Sequence, residues 1–293
     1  MKIVLHAGVH KTDEDGFLGT LTASERILKK NRIAVPSAAH FRKPLREKLI
    51  QMNKAAPSPE EREALLDLLL SNEPEEVERL IISNSNFFGT PKEAIDNDIF
   101  YPSALNQLAK FRYLFQEYPF ELFLSLRNPA TFVPALFEMS KTENPADILS
   151  NSDPYALQWS ELIGRIRQSI PELPITVWCH EDSPFIWGRI SRAMAGLPAE
   201  HAMRGDFALF GSLLSEEGLT RFKTYVQKHP NMTQDQLYRT LTAFYDKFAD
   251  SDKASETLAM PGWSDMLIED LTEFYEEDVE DIRDIPNVTL ISP

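Results

Sequence analysis

The stretch MKIVLHAGVHKTDEDG, residues 1–16, decides the fold of this chain. Residues 3–5 (Ile-Val-Leu) form an apolar run without alternation, as expected for a strand that is covered on both faces of a parallel sheet. We predict a strand over residues 2–7, a turn that starts at Gly8, and a helix after the loop. A strand, a short loop with Lys and Thr, and a helix form a phosphate cradle, because amides at a helix start bind anions.

The loop carries a specific string, H-x-G-x-H-K-T, made by His6, Gly8, His10, Lys11 and Thr12. It does not satisfy the Walker A pattern, because only two residues separate the glycine from the lysine, and this argues against a P-loop kinase. The string resembles the phosphosulfate-binding loop of bacterial P-loop sulfotransferases. The resemblance implies a P-loop NTPase-like sulfotransferase fold and the cofactor 3'-phosphoadenosine 5'-phosphosulfate (PAPS).

Three acids, Asp13, Glu14 and Asp15, follow the string where the family usually continues with Gly-Thr-Thr. A carboxylate at roughly 4 to 6 Å from a bound dianion costs about 1 kcal/mol in a partly wet site. Alternatively, the acids form the N-terminus of the helix, where the helix dipole favours negative charge. The sequence leaves both interpretations open.

Two later strands end in residues that can reach the same edge of the sheet. The predicted strand over 79–83 ends at Ser83, and the strand over 120–126 is followed by Arg127 in the sequence Arg-Asn-Pro. Ligands of parallel sheets bind at the carboxyl ends of the strands, where both residues and the loop fall. The resemblance implies that Arg127 holds the 3'-phosphate of PAPS, together with a serine whose position is Ala135 here.

The resemblance also implies roles within the loop. Gly8 and Thr12, with the loop amides, would hold the 5'-phosphate, and Lys11 would stabilise the charge on the leaving phosphate. Ser83 and Arg127 complete the predicted cofactor-binding set. We predict no metal ligands.

The general base is the least defined part of the predicted site. Related proteins often carry a Glu after the third strand, whereas this chain has Asn84, Ser85 and Asn86, whose amide and hydroxyl groups take up no proton near neutral pH. His10 is therefore a catalytic candidate beside Lys11. His40 is a second candidate base, by proximity in sequence only.

Two other segments carry possible functional groups. Residues 40–46 (HFRKPLR) form the most basic cluster of an acidic chain. Such a run is solvated by default, but it can also hold an anionic acceptor or the phosphates of a cofactor. His180, Glu181 and Asp182 follow the predicted strand 175–179 and resemble the Arg-Tyr-Glu-Asp segment of sulfotransferases, although a lone histidine at a strand end is more often structural.

The pattern of apolar segments predicts an α/β fold with a mainly parallel sheet, helices on both faces and a helical C-terminal part. Helices are predicted between the strands, and the chain from Leu197 onward is predicted to be mainly helical. The last helix opens near Trp263, and we expect its acidic stretch 269–284 to face solvent. The predicted strands cover residues 2–7, 32–36, 79–83, 120–126, 175–179 and 288–291.

Composition limits the remaining possibilities. The 293 residues are 43% hydrophobic and 26% charged, which fits one globular domain over residues 1–293. The net charge of -15 argues against nucleic-acid partners and anionic membranes. One cysteine, Cys179, and the lack of a signal peptide or a long apolar segment predict a cytoplasmic protein.

Two hypotheses about function follow. The first is a sulfotransferase that moves a sulfuryl group from PAPS to a hydroxyl or amine of an unknown small-molecule or glycan acceptor. The second is a catalytically impaired relative that keeps the fold and binds an anion, a nucleotide or a protein partner. The acids after Thr12, Ala135 and the missing glutamate favour the second hypothesis.

Overall fold

The computed structural model of the chain describes residues 1–13, 15–70, 76–254 and 260–293, and it has an α/β architecture. The strands are β1 Lys2–His6, β2 Ile33–Ala34, β3 Arg79–Ser83, β4 Ile95–Asp96, β5 Ile99–Phe100, β6 Phe120–Leu126, β7 Ile175–Cys179 and β8 Val288–Leu290. The helices are α1 Gly16–Ala23, α2 Glu25–Lys30, α3 Ala38–Gln51, α4 Pro59–Leu70, α5 Ala104–Leu114, α6 Pro129–Ser140, α7 Ala146–Leu149, α8 Trp159–Ser169, α9 Ser183–Ala195, α10 Ala208–Ser212, α11 Glu216–Lys228, α12 Gln234–Phe248, α13 Ser251–Ala254 and α14 Asp265–Arg283. Within the described ranges, no helix is long and apolar enough to span a bilayer.

Six strands form one parallel sheet in the order β2-β3-β1-β6-β7-β8. The first strand of the chain is therefore a central strand, as its uninterrupted apolar run predicts. Along the chain, β6 is the next strand of this sheet after β3, but the two strands lie on opposite sides of β1. This reversal opens a crevice at the carboxyl end of β1, the place where ligands bind in open α/β sheets.

Two apolar cores cover the two faces of the sheet, which confirms the predicted layers. Alternate residues of β1 pack into different cores: Ile3 and Leu5 lie in one core, and Val4 lies in the other. The first core contains side chains of α3, α5, α8 and α14, and the second contains side chains of α1, α2 and α9. A third cluster joins α10, α11 and α12 in the helical C-terminal part.

The structure corrects the prediction for the acidic last helix. Asp278 of α14 is not in solvent but only 3% exposed. Its carboxylate accepts hydrogen bonds from the amides of Trp159 at 2.7 Å and Ser160 at 3.2 Å, and so caps the start of α8. Burial raises the pKa of Asp278 despite these bonds.

Two further differences have local causes. The helix predicted from Gly16 to Lys30 is divided at Ser24, whose side chain accepts a hydrogen bond from the Arg204 amide at 2.9 Å. The short hairpin β4–β5 was not predicted, although Asn97 and Asp98 at its tip have the positive φ angles of 49° and 64° that a two-residue hairpin turn needs.

Candidate functional site

The loop after β1 lies against the segment that follows β3. Gly8 has φ +90°, and a Cβ atom on it would lie 2.6 Å from the Cα of Ser85. The Gly8 carbonyl accepts from the Ser125 amide at 3.1 Å, which ties the loop to β6 as well. Only glycine allows the backbones to approach so closely in this conformation.

His10 holds the loop in place. Its side chain is fully buried, and both ring nitrogens have partners: Nδ1 with the Tyr101 hydroxyl at 2.8 Å and Nε2 with the Asn86 side-chain oxygen at 2.8 Å. Because an amide oxygen only accepts, Nε2 carries the proton, and Nδ1 accepts from Tyr101. Burial lowers the pKa of His10, which keeps the ring neutral. The imidazole thus connects the loop to the residue that follows β5 and to the segment after β3, and it is not open to a substrate.

Lys11 and Arg127 meet through the backbone. Lys11 has a left-handed conformation with φ +54°, and its carbonyl accepts a hydrogen bond from the guanidinium of Arg127. Arg127 is only 1% exposed, and its Nε also donates to the Thr131 hydroxyl at 3.1 Å. Arg127, the predicted phosphate-binding arginine, is therefore almost fully buried and supports the backbone of the loop.

Thr12 also contributes to the loop itself. Its hydroxyl donates to the Val9 carbonyl at 2.7 Å, and the side chain is buried. Helix α1 starts at Gly16, four residues later, so the Thr12 amide is not part of the helix N-terminus.

Ser83 lies at the end of β3 with its hydroxyl already paired. Its Oγ is 2.9 Å from Nδ1 of His6, a buried ring whose pKa is lowered by burial. The Ser83 carbonyl accepts from the guanidinium of Arg42 at 2.9 and 3.2 Å. These contacts bind β1, β3 and α3 together at the carboxyl edge of the sheet.

The structure gives the acids after the loop defined partners. Asp15 forms a two-point ion pair with Arg42, of which one N–O distance is 2.8 Å. Asp13 accepts from the Gly16 amide through its backbone carbonyl at 2.6 Å and, weakly, from the Phe17 amide through its carboxylate at 3.4 Å. The contacts of Asp13 fit the interpretation that the acids form the N-terminus of α1, whereas the Asp15 side chain pairs with Arg42 and makes no capping bond. Glu14 lies outside the described residues.

His180 completes the edge at the end of β7. Burial and the positive charge of Arg127 lower the pKa of His180 to about 4, although the Thr12 backbone favours the protonated ring. Its Nδ1 is buried and has no hydrogen-bond partner among the described residues. The ring is therefore neutral at physiological pH.

The remaining predicted positions lie away from this cluster or lack the expected group. His40 is exposed on α3, with its Nδ1 3.1 Å from the Ser37 hydroxyl. Ala135 is fully buried in α6 and has no hydroxyl to offer. Sequence reasoning missed Tyr101, which the hairpin brings to His10 from 91 residues away.

Comparisons with known proteins give one likeness. No protein-family model matches the chain, and no curated protein matches it. Among solved structures, the chain is similar to a sulfotransferase from Alicyclobacillus acidocaldarius, with a TM-score of 0.41, 14% sequence identity, and coverage of 82% of this chain and 97% of that chain.

Proposed function

We propose that the chain is a sulfotransferase-like protein with the P-loop type of sulfotransferase fold, which binds PAPS at the loop after β1 and transfers its sulfuryl group to a hydroxyl or amine of an acceptor. One observation carries the proposal: the H-x-G-x-H-K-T loop lies at the reversal of strand order, between Ser83 and Arg127. The cytoplasmic location and the absence of nucleic-acid partners stay predictions.

The residues of the loop fit this chemistry in part. PAPS supplies an activated sulfuryl group, and charge develops on its phosphate when the sulfuryl group leaves. The ammonium of Lys11 would stabilise that charge, while Arg127 fixes the backbone that presents Lys11 and stays the proposed partner of the 3'-phosphate. His10 and Tyr101 hold the loop shape that this role requires. The carboxylates of Asp13 and Asp15 oppose the dianion.

The test replaces Lys11 with alanine and measures the thermal stabilisation by adenosine 3',5'-bisphosphate. Loss of a hydrogen bond to a charged group costs about 1.5–3 kcal/mol, so the affinity should fall roughly tenfold to hundredfold. The positive φ of Lys11 strains alanine no more than lysine, so the fold should be unchanged. Lys223→Ala on α11 removes the same charge from an exposed helix and should keep the full shift. A full shift in Lys11→Ala as well contradicts the assignment.

A second candidate function is a catalytically impaired relative that binds an anion, a nucleotide or a protein partner. The contacts of the acids favour it, since Asp13 occupies amides at the start of α1 and Asp15 neutralises Arg42. The Thr12 hydroxyl is occupied by the Val9 carbonyl, and His10 is closed off from solvent. A dianion that binds to this loop is repelled by the two nearby carboxylates of Asp13 and Asp15.

The double variant Asp13→Asn/Asp15→Asn tests whether the acids oppose the ligand, as the second candidate requires. Two charges at about 1 kcal/mol each predict a gain of roughly thirtyfold in bisphosphate affinity at low salt, and less at high salt. Loss of Asp15 also releases Arg42 for the ligand. Calorimetric titration at two salt concentrations measures the gain.

The matched control is Asp67→Asn/Asp246→Asn, which makes the same change of charge at exposed positions on α4 and α12. An equal gain in this control would assign the effect to net charge. Weaker binding in the site variant would show that the acids help the ligand, for example because Asp15 positions Arg42.

A further inference from the structure

A cavity of about 830 Å³ lies beside the loop, between α3 and the segment 84–93, and it has no role in the function proposed so far. Arg42 and Asn86 belong to its lining and also contact the loop, through Asp15 and His10 respectively. The cavity therefore adjoins residues that hold the proposed cofactor-binding loop. Its volume lies in the usual range of small-molecule sites.

The α3 side of this cavity is basic. It presents Arg42, Lys43 and Arg46, in a chain whose net charge is -15. Arg42 is paired with Asp15, and Lys43 lies 3.9 Å from Glu47. Arg46 is exposed and makes no ion pair or hydrogen bond with the described parts of the chain. This side attracts an anionic group.

The opposite side carries one acid and one unsatisfied acceptor. Glu93 accepts from the Thr90 amide at 2.7 Å and the Thr90 hydroxyl at 2.8 Å, and these bonds lower its pKa, so it stays ionised. The side-chain oxygen Oε1 of Gln107 is shielded from solvent and has no hydrogen-bond partner among the described residues. A buried acceptor without a donor is costly, and rotation of the Gln107 side chain that turns Oε1 into the cavity would let a ligand hydroxyl or N–H satisfy it.

Apolar side chains fill the space between these polar groups. Leu49 and Phe87 are buried in the cavity wall, while Ile50 and Met139 are 57% and 40% exposed at the same cavity. Large apolar side chains left exposed beside a concave site are covered when a ligand with an apolar body binds.

We propose that this cavity is the acceptor site and that the acceptor is an anionic, amphipathic small molecule with a hydroxyl or amine group. The role of this molecule as an acceptor rests on the proposed sulfuryl transfer, whereas its binding in the cavity does not. The anionic group faces Arg46 on α3, and the negative charge of Glu93 repels it from the opposite side. The hydroxyl or N–H donates to Gln107, and the apolar body covers Ile50 and Met139. A neutral extended glycan would leave the basic and the apolar parts unused.

Three aromatic probes test each part of this ligand description by fluorescence titration at low salt. Hydroxynaphthoate has the anionic group, the apolar body and the hydroxyl. Naphthoate lacks the hydroxyl, and naphthol lacks the carboxylate. We expect hydroxynaphthoate to bind tightest and its affinity to fall with added salt.

Two variants locate the binding. Arg46→Gln should weaken both carboxylated probes about fivefold and leave naphthol unchanged, as for a partly exposed charge pair. Gln107→Leu should weaken hydroxynaphthoate about tenfold and leave naphthoate unchanged, because only the hydroxyl loses its partner. Arg221→Gln on α11 is the matched control, because this arginine is exposed and does not line the cavity.

The outcomes separate this inference from the function on which it rests. Equal effects of Arg46→Gln and Arg221→Gln, or no effect of either site variant, overturn the cavity assignment, even if the bisphosphate nucleotide binds. Probe binding with the expected pattern, in a protein that does not bind the nucleotide, retains the cavity as an anion site and overturns sulfuryl transfer. Unchanged melting temperatures of the variants confirm that they are folded.

Discussion

Gly8→Ala should destabilise the protein by about 3 kcal/mol. Alanine at φ +90° costs about 1–2 kcal/mol, and overlap in a packed interior adds about 1–3 kcal/mol. The added Cβ would meet backbone, the Cα of Ser85 at 2.6 Å and its carbonyl oxygen at 3.0 Å. Neither strand end can move away easily, because β1 and β3 are paired over their whole length. Chemical denaturation of the variant and the parent measures the difference.

Gly19 provides the matched control in the neighbouring helix. It lies exposed in α1, and a Cβ there would meet no atom within 4 Å. Gly19→Ala should therefore stabilise the protein by about 0.5–1 kcal/mol, as expected for a helix interior. Equal small effects at both glycines would mean that the loop and the segment after β3 are not in contact in solution.

Acid should destabilise the protein through His180. Its pKa is about 4 in the folded state against 6.5 for the free side chain, so the unfolded chain binds the proton first. The contribution of the neutral His180 to the free energy of unfolding is complete above pH 6.5 and is lost as the pH falls towards 4. The loss amounts to about 1.4 kcal/mol per pH unit, or about 3 kcal/mol in total.

The variant His180→Gln isolates this contribution. Its unfolding free energy, measured between about pH 4 and pH 8, should fall less steeply with acid than that of the parent. The difference in slope corresponds to the uptake of up to one proton on unfolding. Burial lowers the pKa of His6 and His10 and raises that of Asp206 and Asp278, but these groups act alike in both proteins and cancel in the difference. Parallel pH profiles for parent and variant would contradict a buried, neutral His180.

The sheet could be predicted because its signals are local. Residues 3–5 and the strands Arg79–Ser83, Phe120–Leu126 and Ile175–Cys179 are short apolar runs bounded by polar residues, and the structure confirms the three strands at the predicted bounds. The two-residue strands of the hairpin are too short to show a period, so only their turn residues could have revealed them.

The site depends on contacts that sequence proximity does not reveal. Nothing near His10 in the sequence indicates Tyr101 as its partner, and nothing near Asp15 indicates Arg42. Asp278 lies within an acidic run whose other members look alike, and only the docking of α14 against α8 removes it from solvent. The place of the loop at the carboxyl edge of the sheet was predictable, whereas the direction in which each side chain points was not.

The position of β1 in the sheet also affects how the chain folds during synthesis. Ile3 pairs with Leu80 on one side and with Phe120 on the other, so the second neighbour leaves the ribosome about 120 residues later. At roughly 5–20 residues per second, the wait for that partner is on the order of 6 to 24 seconds. During this time an apolar strand has an unpaired edge and an uncovered face. We therefore expect nascent chains of this protein to bind chaperones that recognise extended apolar segments.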